Sequence, residues 1–392
     1  MSDKRDPLET VTVAPLAPPR GPERGSATTR RDFLQQTGRA GTALAGAAVG
    51  SSIGFPVLLR RAEGAKRSIT VTWFTGAQLD VFKKEVAEPF EKEFDCQVLV
   101  ETGVATEFVA KLRAERSNPR HTVVELNEFH LNIARREGLL ERLPSDVISN
   151  LKNVYPEYIR EDGHGVGVSL NFISIGYHTK RVAPPPDSWN ILWDPKYRGK
   201  VIIPGRAHSA SNFLVIAAAA LQTGKPLQEA QYLIDAAMEK LRGLKRQVLN
   251  LYVRAPLAVS QIEQETGYLL GGFYSTILYP YQDKGVPVDM AIPREGTFAS
   301  LNTVSLVKGG PHADLGMALI NKTLSVEFQK AHAERAVTAP VIKGVSLAEK
   351  TEQRVVYGPK RAKEIGLFLS DYTFINDKSA EVTEKWDEIF LA

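Results

Sequence analysis

The segment 204–209, which reads PGRAHS, follows a short apolar stretch and carries residue types that bind anions. Arg206 offers a planar guanidinium whose forked N–H groups match a carboxylate or a phosphonate. Ser209 and Ser211 add hydroxyl groups, and a helix that starts near Asn212 would add free backbone N–H groups and a positive dipole end. The alternative is a solvated arginine, or one paired with a neighbouring acid. The pattern favours an anion-binding site at Arg206.

Acids and aromatic residues follow two other strand-like segments. Glu125 and Glu128, within VVELNEFH, could meet an amino group, so that a zwitterion such as an amino acid or aminophosphonate would satisfy both ends. The alternative places both glutamates in a solvated loop. Trp73 and Phe74 end the segment SITVTWF and could form the floor of a pocket, although ordinary core packing explains such residues equally well.

The sequence gives little support for a metal site or for a catalytic site. The seven histidines are scattered, and His121 and His130 flank a strand without sharing a face, so we expect no metal site and no cofactor. Ser305 and Lys308 match an S-x-x-K pattern, but the companion motifs of penicillin-recognising enzymes are missing and the match falls in a predicted strand. An exported hydrolase is therefore the alternative from another functional class, and we expect no catalytic residues.

Strand and helix patterns alternate in the first third of the chain after residue 67. This alternation predicts an α/β domain with a parallel sheet, from strands at 68–76, 96–103 and 122–127 and helices at 79–94, 106–117 and 132–143. Ligands of open α/β sheets bind at the carboxyl ends of the strands. Those ends add Thr75, Asn127 and Ser275 to the candidate ligand-binding residues.

Two long β-rich segments, 166–179 and 289–303, are predicted to carry the chain between two lobes and to act as hinges. The first contains Asn171, a further candidate ligand residue. We predict that lobe 1 comprises 68–168 and 300–345, that lobe 2 comprises 169–299 and 346–392, and that the ligand binds in the cleft between them.

Residues 1–65 read as a disordered leader followed by an export signal. Arg30 and Arg31 precede Phe33 and Leu34 and a weakly apolar stretch, a pattern that resembles a twin-arginine signal. Small residues predict cleavage near residue 64, and hence a periplasmic protein that uses the twin-arginine export machinery. This leader holds nine Lys/Arg and six Asp/Glu of a chain whose net charge is +4, so the remainder is nearly neutral and nucleic acid is not an expected partner.

Five segments in order resemble the substrate-binding proteins of ABC importers in the polyamine, iron and thiamine cluster. SWNILWDPKYRGKVIIPG at 188–205 carries the strongest likeness. The others are SITVTWFTG, REGLLERL, VDMAIPREGTFASLNTVSLVKGGPH and TAPVIKGV. The resemblance spans 68–392.

This resemblance implies a type II, two-lobed periplasmic-binding-protein fold with two crossover hinge strands. It implies a protein without catalytic activity that captures a small solute and delivers it to a membrane permease and its ATPase subunits. We expect such a protein to act as a monomer.

The resemblance also bears on the ligand. Polyamine binders of the cluster carry acids where this chain has Arg206, and a second acid where it has Asn302, while their tryptophan corresponds to Tyr274. The neighbouring tyrosines of ferric binders are absent, since Pro280 separates Tyr279 from Tyr281. An anionic or zwitterionic solute is therefore favoured, because two lost carboxylates and an added cation would repel a polyamine. A spermidine or putrescine binder is the alternative.

Overall fold

The computed structural model describes residues 66–392, so the predicted signal residues Arg30, Arg31, Phe33 and Leu34 and the cleavage site near residue 64 lie outside the described residues. The strands are β1 Arg67–Trp73, β2 Cys96–Thr102, β3 Val123–Asn127, β4 Leu140–Glu141, β5 Ile159–Arg160, β6 Gly165–His178, β7 Val201–Pro204, β8 Val248–Tyr252, β9 Leu269–Tyr274, β10 Val288–Met290, β11 Thr297–Val307 and β12 Leu367–Phe368.

The α-helices are α1 Ala77–Phe82, α2 Glu88–Phe94, α3 Ala105–Ala114, α4 Glu128–Arg136, α5 Ser211–Thr223, α6 Leu227–Ala230, α7 Ile234–Leu244, α8 Ala255–Glu263, α9 Ser275–Asp283, α10 Ala313–Thr323, α11 Val326–Ala336, α12 Glu349–Arg354, α13 Gly358–Glu364, α14 Tyr372–Asp377 and α15 Ser379–Phe390. A π-helical turn, Lys83–Ala87, joins α1 to α2. No helix within 66–392 is long and apolar enough to cross a membrane.

The strands form one mixed sheet whose main path runs β2-β1-β3-β11-β6-β9-β7-β8. Both outer parts are parallel, since β1 pairs in parallel with β2 and β3, and β7 with β8 and β9. The two central strands are antiparallel to each other and to their outer neighbours. The predicted parallel pairing is therefore correct for the outer parts but not for the centre, where the chain crosses from one part to the other.

The long strands β6 and β11 occupy the places where two crossings were predicted. The second half of β6 pairs with β9, and the second half of β11 pairs with β3, so each strand links both parts of the sheet. The predicted crossing at 289–303 begins too early, because Pro293 and Gly296 separate the short strand β10 from β11. Helix α9 and strand β8 were not predicted at all, since Pro280 inside α9 disguises its helical pattern.

Helix α4 begins earlier than the predicted 132–143. The side chain of Asn127 accepts a hydrogen bond from the backbone N–H of His130, which starts the helix at Glu128. Gly138, with φ of 66°, turns the chain after the helix end. The residues Leu140 and Glu141 then form strand β4. This shift moves Glu128 out of a loop and into the first turn of a helix.

Two large apolar clusters pack against the sheet. Around β1, the ring of Trp73 stacks on Phe82 with centroids 3.8 Å apart. In the other cluster, Phe298 of β11 contacts Phe213 of α5, and Trp386 of α15 is fully buried. Burial of these large side chains anchors α5 and α15 to the sheet, and both helices begin beside the cavity described below.

Candidate functional site

A cavity of about 880 Å³ lies where strand ends and helix starts from both parts of the sheet meet. The residues that line it form two groups. The first wall consists of Val104, Ala105, Thr106, Asn127, Phe129 and His130. The second wall consists of Gly205, Arg206, Ala207, His208, Ser209, Asn212, Leu251, Val253, Ser379, Thr383, Trp386, Asp387 and Leu391. Three of the predicted ligand residues, Asn127, Arg206 and Ser209, are thus brought together.

Arg206 projects from the loop between β7 and α5 and is half-buried in the second wall. Its Nη1 donates to Ser211 Oγ at 2.9 Å and to Asn212 Oδ1 at 3.0 Å, and its Nη2 lies within 3.4 Å of Ser379. These contacts within 66–392 are all neutral. The Nε atom is buried and has no hydrogen-bond partner among the described residues. Burial lowers the pKa of Arg206, which marks a cation that is incompletely compensated.

The start of helix α5 differs from the prediction in one respect. The backbone N–H groups of Ser211, Asn212 and Phe213 donate to carbonyl oxygens of the preceding loop at 3.0–3.2 Å, so they are not free to hold an anion. The positive end of the helix dipole nevertheless lies beside the Arg206 guanidinium. Two positive groups are adjacent here, and an anion would relieve their repulsion.

A small network holds Ser209 and His208 in the second wall. Ser209 Oγ lies 2.9 Å from the hydroxyl of Tyr274, at the end of β9. The ring of His208 packs edge-on against Tyr252 and Tyr274. Burial raises the pKa of Tyr274, so its hydroxyl stays protonated. Tyr274 therefore supports the site from behind Ser209, although it does not line the cavity.

The first wall is joined by its own hydrogen bonds. His130 Nδ1 lies 2.8 Å from Asn127 Oδ1, and His130 Nε2 lies 3.1 Å from Thr106 Oγ1. Asn127 Oδ1 also accepts from the backbone N–H of His130 at 3.1 Å. The three side chains therefore form a hydrogen-bonded chain that holds the starts of α3 and α4 together.

The cavity carries one positive and one negative charge at neutral pH. Burial lowers the pKa of His130 to about 4 and that of His208 to about 4, so both rings are neutral. Among the lining residues of the described chain, only Arg206 and Asp387 remain charged. Such a cavity matches a solute with few charges of its own.

The residues at the end of strand β1 do not line the cavity, although the sequence predicted that they would. Trp73 is fully buried against Phe82 and does not line the cavity, so its place is in the core rather than in a pocket floor. Phe74 is half-buried and stacks on Phe108, with ring centroids 5.8 Å apart. Thr75 is exposed in the turn that follows and is not among the lining residues.

Glu125 and Glu128 do not reach the cavity either. Glu125 is fully buried, accepts a hydrogen bond from Phe74 N at 2.6 Å, and burial raises its pKa to about 8. Glu128 is buried beside Arg160, whose Nε lies 2.8 Å from its Oε1, and burial raises its pKa to about 7. The predicted meeting with a solute amino group is therefore not supported: one carboxyl is neutral inside the core and the other has a protein partner.

Three polar candidates lie along the central strands without lining the cavity. Asn302 of β11 pairs in register with Asn127 and donates to Gln78 Oε1 at 3.3 Å. Asn171 of β6 is buried opposite Ser300. The hydroxyl of Ser275, at the start of α9, accepts from the backbone N–H of Phe172 at 3.3 Å. Asn302 and Ser275 thus have structural partners.

Sequence reasoning missed several residues of the cavity, namely Thr106, His130, His208, Ser379, Thr383 and Asp387. One signal was available in the predicted C-terminal helix. Polar residues recur there every four positions, beside a buried apolar stripe that includes Val382 and Trp386.

A metal site and a catalytic serine are the two other kinds of site that the sequence raises. Within 66–392, no three His, Cys, Asp or Glu side chains form a group that could hold a metal ion. Ser305, from the S-x-x-K match, lies fully buried near the end of β11 and not at the start of a helix. An attacking nucleophile would need access to a substrate, which this position does not offer.

Known proteins resemble this chain over most of its length. A spermidine/putrescine-binding periplasmic protein of Escherichia coli (strain K12) is 22% identical over 254 residues, which covers 63% of this chain and 71% of the relative. A Salmonella typhi periplasmic protein named for 2-aminoethylphosphonate binding is 26% identical over 263 residues, with 63% and 69% covered. The crystal structure of an ABC transporter protein of Clostridium perfringens ATCC 13124 has a TM-score of 0.70 and 24% identity, covering 82% of this chain and 99% of that one.

The family model described as bacterial extracellular solute-binding protein matches residues 127–360, more than half of the 392 residues. This match and the solved structure confirm the predicted two-lobed α/β fold and the solute-binding role. The chain belongs to the bacterial extracellular solute-binding protein family.

Proposed function

We propose that this protein captures a small anionic or zwitterionic solute in the cavity between its two walls and delivers it to an ABC permease. The observation that carries the proposal is Arg206, a half-buried guanidinium with neutral contacts beside the start of helix α5. An acidic group at this point would neutralise two adjacent positive ends, the guanidinium and the start of the helix dipole.

The named relatives offer two ligand classes, polyamines and an aminophosphonate. A polyamine carries several ammonium groups and would face one carboxylate and one guanidinium in this cavity. The guanidinium would repel it, and a second ammonium would lose water without gaining an acid. An acid-bearing amine such as 2-aminoethylphosphonate fits the charges better, and we favour that class over polyamines.

A screen by thermal unfolding tests the proposal. The mature protein would be heated with 2-aminoethylphosphonate, γ-aminobutyrate, dicarboxylates, spermidine and putrescine in turn. A solute at a hundredfold excess over its Kd stabilises the fold by about 2.7 kcal/mol, so a true ligand should raise the Tm clearly. We expect acid-bearing solutes to do so, and calorimetry should then give one site per chain with the solute recovered unchanged.

The opposite result has a clear form. If the polyamines raise the Tm and no acid-bearing solute does, the polyamine alternative replaces our proposal. Turnover of any probe would support the exported hydrolase instead.

We also propose a route by which the protein is exported to the periplasm. The twin-arginine pattern at Arg30 and Arg31 would send the folded chain to the periplasm, where cleavage near residue 64 would release it as a monomer. Replacing both arginines by lysine keeps the charge but removes the planar fork that a receptor can recognise. The double variant should therefore stay in the cytoplasm, as cell fractionation would reveal. Normal periplasmic accumulation would contradict the proposed route.

The two walls are proposed to close on the solute by bending at β6 and β11. These strands link both parts of the sheet, which supports their role as hinges.

A further inference from the structure

The C-terminal helix α15 lines the cavity with a single stripe of its surface. Residues four positions apart lie on one face of a helix. Apart from Trp386, the lining residues of this segment follow this spacing, as Ser379, Thr383, Asp387 and, just past the helix end, Leu391. Burial of Val382, Trp386 and Ile389 in the core fixes how the helix is rotated. The position of Asp387 in the cavity wall therefore follows from the packing of the helix.

Asp387 differs from its acidic neighbours on the same helix. Glu381 forms ion pairs with Lys378 and Lys385, whereas Glu384 is exposed on a part of the helix outside the cavity. Asp387 is half-buried and is the sole carboxylate among the lining residues that the structure describes. The negative charge of Asp387 raises the pKa of Arg206, whereas burial lowers it. The two groups are therefore close enough to interact electrostatically.

We propose that Asp387 binds an ammonium group of the solute and thereby makes the site specific for acid-bearing amines. The inference rests on the proposed function, in which Arg206 binds the acidic end. A carboxylate pairs with an ammonium through charge-assisted hydrogen bonds. Thr383 and Ser379, one and two turns before Asp387 in the stripe, add hydroxyl groups to the same wall.

A different role for Asp387 would be to balance the charge of Arg206. The two roles give opposite results when the carboxylate is removed. A balancing acid competes with the acidic end of any solute, so its loss would strengthen the binding of every anion. An ammonium-binding acid matters only for solutes that carry an amine, so its loss would weaken those alone.

The test is a calorimetric titration with 2-aminoethylphosphonate and with ethylphosphonate, which lacks the amine. The proteins are the wild type, Asp387→Asn and the control Glu384→Gln, which makes the same change of charge on an exposed part of α15. We expect the wild type to prefer the aminophosphonate by about ten- to a hundredfold, the range of one charged hydrogen bond. Asp387→Asn should remove that preference without weakening ethylphosphonate, and Glu384→Gln should keep it.

Three outcomes would overturn the inference: equal affinity of the wild type for both phosphonates, tighter binding of both by Asp387→Asn, or an equal loss for both. Each of these leaves the anion site at Arg206 intact, whereas failure of both phosphonates to bind the wild type would count against that site as well. Asparagine is nearly isosteric with aspartate, and the Tm of each unliganded variant should match that of the wild type. A lowered Tm together with an equal loss for both probes would indicate a structural role and reject the inference.

Discussion

The two walls of the cavity differ in charge. On the first wall, Thr106 and Asn127 hydrogen-bond to His130, and burial keeps the imidazole neutral with a pKa of about 4. On the second wall, Arg206 and Asp387 stay charged without forming an ion pair with each other. A group that already has its partners gains little from a ligand, whereas an uncompensated charge gains much. We therefore propose that the second wall selects the solute and that the first wall covers it.

The largest effect should come from removing the charge of the second wall. Arg206→Ala should weaken the binding of an acid-bearing solute by about ten- to a hundredfold, because a charged hydrogen bond is lost. Arg206→Lys should recover only part of this, since an ammonium cannot replace the forked donor. Thr106→Ala on the first wall is the matched control, and calorimetry should show a loss of less than about threefold. Equal losses at Arg206 and Thr106 would remove the contrast between the walls.

A smaller effect is expected from Glu125, a buried carboxyl group that does not line the cavity. Burial raises the pKa of Glu125 to about 8, so between its ordinary pKa and pH 8 the folded chain holds a proton that the unfolded chain releases. The contribution of this group to stability is therefore complete at low pH and is lost as pH rises towards 8. Glu125→Gln should remove that loss, so its free energy of unfolding relative to wild type should increase by about 2 kcal/mol between pH 6 and pH 8.

Urea unfolding of both proteins at each pH gives this difference directly. Solute affinity at pH 7 should be unchanged in Glu125→Gln, because the side chain does not reach the cavity. A pH-independent difference in stability would show that Glu125 is ionised in the folded protein.

The smallest effect is expected from pH on binding itself. His130 and His208 have pKa values of about 4, so neither changes charge between pH 5.5 and 7.5. The affinity for a carboxylate such as γ-aminobutyrate should therefore change by less than about twofold across this range. A tenfold change in the titrations would show that a cavity histidine, or Glu128 with its pKa of about 7, changes charge there and affects binding.

The parts of the site that could be predicted are those fixed by local sequence. Arg206 and Ser209 follow an apolar strand and precede an apolar helix, and strand ends in α/β sheets meet at one edge. The same rule places Asn127 correctly. It fails for Trp73, because the side chains of a strand alternate between faces and the buried face cannot be identified from one strand alone.

The parts that were missed depend on tertiary packing. The Asn127 cap shifts α4 by four residues and brings Glu128 to Arg160, a partner 32 positions away that no local pattern indicates. Nothing in the local sequence shows that helix α15 packs beside the β7–α5 loop. Its polar stripe became meaningful only when Trp386 and Ile389 were seen in the core.

Solution scattering with and without solute tests most directly whether the charged wall binds and the neutral wall closes. The wild type, at a saturating concentration of the solute found in the thermal screen, should show a smaller radius of gyration than the unliganded protein, because bending at β6 and β11 draws the two parts together. Arg206→Ala at the same solute concentration should remain at the unliganded value. A saturated wild type without compaction, or a variant that compacts equally, would contradict the account.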